Sequence, residues 1–148
     1  MVLLNIINHV RESISKIILE KGYDKVNFVV EPSRSGFGDI TCNVAFLLAK
    51  SLKKTPQEIA QEFADVYDTS QSRELNKAEA HQSGYLNFFL DANSFNKTVL
   101  LESQKENYGS TDIGKNSKLV VEHTSVNPNK ALHIGHLRNV AIGDAVSR

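Results

Sequence analysis

The sequence has a single cysteine, no net charge and no long apolar run. One cysteine, Cys42, excludes an internal disulfide and any zinc site built on paired cysteines. No apolar stretch approaches the roughly 20 residues a membrane-spanning helix needs. The opening Met1-Val2-Leu3-Leu4-Asn5 lacks the basic start and small-residue cleavage site of a secretory signal, and reads as the beginning of a helix. Seventeen Lys and Arg against 17 Asp and Glu give no global attraction to nucleic acid. Repeats and low-complexity tracts are also missing. These absences point to an ordinary globular protein of the cytoplasm. At 148 residues, 41% hydrophobic and 23% charged, the chain has material for one core and part of a second.

Apolar periodicity places a helix over residues 3–21, with Leu3, Ile6, Ile7, Val10, Ile14, Ile17 and Ile18 on one face and Gly22 ending it. Val26 to Val30 reads as a short strand stopped by Pro32. Ser33 to Gly38 is a loop in which Gly36-Phe37-Gly38 reads as a plain turn in preference to an RNA contact, and Asp39 is then expected to cap a helix running to about Leu52. Thr55-Pro56-Gln57-Glu58 is a capping box with proline at the first helical position, opening a helix with Ile59, Phe63 and Val66 on one face. Leu75–Gln82 and Gly84–Asp91 read as antiparallel strands joined at Ser83-Gly84. A helix of roughly 14 residues carrying Phe95, Val99 and Leu100 follows. The Gly-, Asn- and Ser-rich stretch after it divides the chain into a domain over 1–110, a linker over 111–117 and a second domain over 118–148.

Beyond the linker the pattern changes. Leu119-Val120-Val121 is a continuous apolar run, as in strands of parallel sheets buried on both faces. A polar loop and a Gly-containing turn lead into a helix that runs to the end. This is half of a nucleotide-binding α/β unit, whose ligands gather at the C-terminal end of the strand. Glu122 leaves that strand, Ser125 and Asn127 offer donors and acceptors in the loop, and Lys130 offers a mobile charge. His133 and His136 flank Gly135 at the helix start, where backbone N–H groups favour phosphate and a glycine lets a nucleotide approach the backbone. The two histidines share one helical face, and imidazole N–H groups fixed before reaction stabilise charge growing on a phosphate. In Gly84–Leu90 the side chains alternate, with Leu86, Phe88 and Leu90 facing a core and Tyr85, Asn87 and Phe89 facing away. An exposed aromatic beside an amide suits stacking and edge recognition of an unpaired base.

His133-Ile134-Gly135-His136 resembles the His-Ile-Gly-His element of class I aminoacyl-tRNA synthetases. The longer run from Glu122 to Arg138 resembles the arginyl-tRNA synthetase version of it. Gly38 to Ala45 and Gly84 to Phe88 resemble parts of that family's N-terminal additional domain. The resemblance implies an α/β fold class: an α+β N-terminal domain that contacts tRNA, then the first β-loop-α unit of a Rossmann-type catalytic domain, truncated here. It implies an arginine–tRNA ligase that adenylates L-arginine with ATP, Mg2+ accompanying the ATP and no tightly bound cofactor, and then charges tRNA(Arg), working as a monomer. His133 and His136 would be catalytic. With Gly135 and Lys130 they would bind ATP; Glu122 would pair with the arginine guanidinium; Ser125 and Asn127 would hold its amino-acid end; Gln82, Tyr85 and Asn87 would contact tRNA. A carboxylate accepting two parallel guanidinium bonds makes the Glu122 role physically reasonable by itself. The fragment alone is expected to be inactive.

Other readings are weaker. A non-catalytic RNA-binding module would bind tRNA without ATP turnover. Another nucleotidyltransferase would share the histidine pair but not the run Glu122–Asn127. A zinc site from His123, His133 and His136 lacks a fourth ligand, so no metal site is expected. His9 and His81 read as ordinary surface or helix-face residues. Cys42 reads as a small buried hydrophobe.

Overall fold

A computed structural model describes residues 2–147 except Ser35, Thr111, Asp112, Ile113 and Asn116. Two compact units emerge, Met1–Gly109 and Ser110–Arg148. Most of the expected linker, residues 111–113 and 116, lies outside the described residues.

In the first unit, helix α1 spans Val2–Glu20 and buries Ile6, Ile7, Val10, Ile14 and Ile18, the stripe its periodicity dictates. Strands β1 (Val30–Pro32), β2 (Ile40–Cys42), β3 (Leu75–Ala80) and β4 (Leu86–Leu90) form one antiparallel sheet in the order β1-β2-β4-β3. Helices α2 (Val44–Leu52), α3 (Pro56–Val66) and α4 (Ala92–Ser103) complete the unit. The core packs Ile14, Leu48, Ile59 and Phe63 against Ile40, Cys42, Leu86 and Phe88 on one sheet face. Each large side chain so buried contributes about 1.5–3 kcal/mol.

Several expectations are corrected. The first strand is not Val26–Val30 but Val30–Pro32. Pro32 fits because β1 is an edge strand, where a missing N–H costs little. Asp39 does not cap a helix. Its N–H donates to the Phe88 carbonyl at 2.9 Å and its carboxylate accepts from the Leu90 N–H at 2.8 Å. These bonds extend the β2–β4 ladder, so Ile40–Cys42 is strand and α2 starts only at Val44. Asn43, at the N-cap position, instead accepts the Val29 N–H at 2.8 Å. The β3–β4 connection takes His81 to Gly84, with Gly84 in the left-handed region at φ +93° and against Pro56. Val66 is exposed rather than sharing the buried face of Ile59 and Phe63. The capping box at Thr55 is present as expected, Thr55 Oγ1 accepting from Glu58 N–H and Glu58 accepting from Thr55 N–H.

In the second unit, helix α5 spans Ile134–Ser147, but Leu119–Val121 forms no strand among the described residues. A strand exists only by pairing its backbone with a neighbour. Among the described residues of this unit no strand pairs with this run, and Val120 is 95% exposed.

One polar cluster braces the first unit. Glu62 of α3 accepts from Tyr23 Oη at 2.5 Å and forms ion pairs with Lys21 at 2.8 Å and Lys54 at 2.9 Å. The Lys21, Tyr23 and Lys54 bonds pull its carboxyl from the ordinary 4.5 down to about 2. A depressed folded-state pKa stabilises above the unfolded value and loses that contribution as pH falls through the folded one. Glu62→Gln is expected to cost on the order of 1–2 kcal/mol at neutral pH in urea unfolding. The difference from the unaltered chain should shrink between pH 4.5 and about 2. A pH-independent difference would contradict this origin.

Candidate functional site

Two groups of residues carry chemistry, one in each unit, and each is built locally. In the second unit the histidine pair forms a reciprocal helix cap. His133 precedes α5, and its Nδ1 accepts the Gly135 N–H at 3.1 Å. His136, one turn in, accepts the His133 N–H on its own Nδ1 at 3.0 Å. This is the geometry of a capping box with imidazoles in place of hydroxyl and carboxylate. The rings lie with centroids 3.9 Å apart, tilted by 38°. A backbone N–H can only donate, so both Nδ1 atoms are acceptors and both ring protons sit on Nε2. The cap therefore leaves two Nε2–H donors at a helix N-terminus, where anions are favoured. Gly135 is part of this device, since a Cβ there would meet His133 Cε1 at 3.0 Å and Nδ1 at 3.1 Å.

Upstream, Thr124 adopts a left-handed backbone at φ +63°, costly for a β-branched residue. The turn brings the Ser125 hydroxyl back to Glu122, donating at 3.4 Å to Oε1. The loop is seated by His123, whose ring lies against Gly143, the buried residue of α5. Any side chain at Gly143 would overlap the His123 Cβ and ring. Lys130 ends an exposed turn, its N–H donating to the Asn127 carbonyl at 3.3 Å. Thus Glu122 and Ser125 come together, and so do His133, Gly135 and His136. No hydrogen bond among the described residues joins the two sets or engages the side chains of Asn127 and Lys130.

In the first unit the sheet face opposite the core is open. Glu31, Thr41, Asn87 and Glu79 align as one cross-strand row over all four strands. The Thr41 hydroxyl donates to Asn87 Oδ1 at 2.9 Å, which fixes the amide and leaves Nδ2 as its donor. Asn87 is only 4% exposed, held between its neighbours. Tyr85 is 41% exposed, braced edge-on by Phe46 with centroids 4.8 Å apart. Phe89 is half-buried, with Lys77 Nζ 4.4 Å above its ring and Gly38 against its edge. Tyr85 and Asn87 border a concavity of about 420 Å3 together with Thr41, Arg34, Phe37 and His81. That volume suits a small organic ligand. Gln82 sits in the exposed turn and does not line it.

The sequence favours a plain turn over an RNA contact at Phe37 and an ordinary surface position for His81, yet both line this concavity. His81 donates its N–H to the Tyr85 carbonyl at 2.8 Å, so the two side chains are cross-strand neighbours on one face. No local pattern displays this; it follows from the pairing of Ala80 with Leu86 in the structure, which carries 81 onto 85. Cys42 is fully buried and desolvation pushes its thiol up to about 12, which makes it inert. No group of three or more His, Cys, Asp or Glu among the described residues is placed to hold a metal. No described helix is long and apolar enough to cross a membrane.

Residues 4–90 match the family model of the arginyl tRNA synthetase N-terminal domain, and residues 96–148 that of the catalytic domain of class I (R) tRNA synthetases. The arginine–tRNA ligase of Pyrococcus furiosus is 42% identical over 146 residues, covering 95% of this chain and 23% of the relative. That of Thermotoga maritima is 38% identical over 146 residues, covering 96% and 26%. Among solved structures, the arginyl-tRNA synthetase of Thermus thermophilus superposes with a TM-score of 0.56 at 37% identity, over 95% of this chain and 22% of that one. The chain thus spans about a quarter of the length of the relatives it matches.

The tautomer assignment is directly measurable. Long-range nitrogen–proton NMR at neutral pH should show bare Nδ1 and protonated Nε2 for His133 and His136. Gly135→Ala should abolish the pattern for His133, and a protonated Nδ1 on either ring in the unaltered chain would refute the cap.

Proposed function

The chain belongs to the arginyl-tRNA synthetase family, and from that membership we propose that it supplies the tRNA-contacting domain and the first catalytic segment of an arginine–tRNA ligase. In that reading residues 1–110 contact tRNA(Arg), 111–117 link, and 118–148 open the Rossmann-type catalytic domain of a monomeric cytoplasmic enzyme. The reaction has two steps. The arginine carboxylate attacks the α-phosphorus of ATP, a new O–P bond forms and pyrophosphate leaves. A hydroxyl of the terminal tRNA ribose then attacks the carbonyl carbon and AMP departs.

The observation that carries the catalytic part is the reciprocal histidine cap. It presents two Nε2–H donors, fixed before substrate arrives, to the oxygens on which charge develops. Gly135 keeps the backbone open to the nucleotide, and Lys130 adds a mobile positive charge near its phosphates. Glu122 is suited to the substrate guanidinium, and its contact with Ser125 leaves carboxylate lone pairs for a bidentate pair. Ser125 and Asn127 hold the amino-acid end. Mg2+ accompanies the ATP; the described residues offer it no ready cluster of ligands, so no step here is assigned to it.

On the first unit, Tyr85 offers a braced ring for stacking on an unpaired base, and Asn87 an amide of fixed orientation for its edge. Gln82 stands in the adjoining turn as a third contact.

The test is arginine-dependent pyrophosphate exchange, with tRNA present, in a synthetase of the relatives' full length carrying this sequence. His136→Ala should lower the rate by about 10²–10³-fold. Glu122→Gln should raise the KM for arginine far more than it lowers kcat. Exchange with a different amino acid in place of arginine would remove Glu122 from its role. The 148-residue chain alone should be silent, because Leu119–Val121 pairs with no strand among the described residues.

A further inference from the structure

The concavity beside Tyr85 has a second wall that the base-reading residues do not account for. Phe37 and His81 meet edge-on at 5.1 Å and 85°, a separate aromatic pair from Phe46 and Tyr85 on the border of the same concavity. His81 is held in register by its backbone bond to Tyr85. Its Nδ1 accepts the Ser83 N–H at 3.2 Å and lies 2.6 Å from the Ser83 hydroxyl, so the ring proton sits on Nε2 and remains available to a ligand. Phe37 is fixed by the Arg34 carbonyl, which accepts its N–H at 3.2 Å, and by the Ser33 hydroxyl, which donates to the Phe37 carbonyl at 3.0 Å. Arg34 lines the same concavity, exposed and without an ion-pair partner among the described residues. Lys77, also on this sheet face, is already paired to Glu79 at 2.6 Å.

Resting on the base-reading proposal above, we infer that Arg34, Phe37 and His81 form the backbone half of one nucleotide subsite. Tyr85 and Asn87 read the base. Phe37 and His81 confine the sugar, with His81 Nε2–H as a donor to it. Arg34 takes the adjoining phosphodiester. The charge pattern favours a single phosphate. Glu31 lines the concavity together with Arg34, and its carboxylate disfavours a second phosphate beside the one that Arg34 takes.

Binding of tRNA(Arg) to the 148-residue chain, followed over a salt series, tests this. Arg34→Gln should weaken binding roughly three- to tenfold and reduce the salt slope by about one. His81→Phe, which keeps the ring and removes the donor, should weaken it about threefold with no change of slope. Both effects should vanish with a tRNA lacking the unpaired nucleotide. Tyr85→Ala serves as the control for the base-reading proposal. If Tyr85→Ala weakens binding while Arg34→Gln changes neither affinity nor slope, the backbone half is wrong and the base site stands. If Tyr85→Ala has no effect, or the unaltered chain binds no tRNA, the base site and this inference fall together. An Arg34 effect that persists without the nucleotide assigns Arg34 to general attraction and overturns the inference.

Discussion

Strands β2 and β4 come from segments more than forty residues apart, and their pairing decides what both sheet faces can do. Because side chains alternate along a strand, placing Ile40, Cys42, Leu86 and Phe88 in the core forces Thr41 and Asn87 to the opposite face. Asp39 locks this register from outside the strand, bonding to both Phe88 and Leu90. The Thr41–Asn87 bond follows from the same register and fixes the amide. A slip of one residue would bury Asn87 in the apolar core and turn Phe88 outward, losing the core and the polar row of the open face together.

The second unit shows a different economy. Its chemistry does not depend on a large core, since nearly all its apolar side chains are exposed. The histidine cap is closed by bonds within four consecutive residues, and the Glu122–Ser125 contact within another four. Local hydrogen bonds can preset donor positions in this way. They cannot supply the low-dielectric surroundings in which such donors act most strongly on a developing charge. The geometry of the motif is therefore set locally, while the catalytic role proposed for it calls for drier surroundings than this exposed segment offers.

The sequence spoke clearly where a local rule sufficed. The stripe of α1, the capping box at Thr55 and the alternation in β4 were legible because each rests on a fixed spacing. Ile40–Cys42 was misread as helix because its strand character lies in a partner at 86–88 that no local pattern displays. Leu119–Val121 forms no strand among the described residues because an apolar run marks only a capacity to pair, and pairing needs a neighbour. Among the site residues, His133, Gly135 and His136 could be placed from their spacing. Tyr85 and Asn87 could be assigned a common face. The tautomers, the Thr41 bond and the contribution of Phe37 and His81 depend on contacts across the sheet and turns, and these appear only in three dimensions.

The function proposed for the first unit rests on tRNA meeting the open face of this sheet. Chemical-shift mapping of the isotope-labelled 148-residue chain against tRNA(Arg) addresses it most directly. The account predicts perturbations concentrated at Glu31–Thr41 and His81–Asn87, with α1 and α4 silent. Perturbations centred on α1 and α4, or none on the sheet face at saturating tRNA, would contradict it.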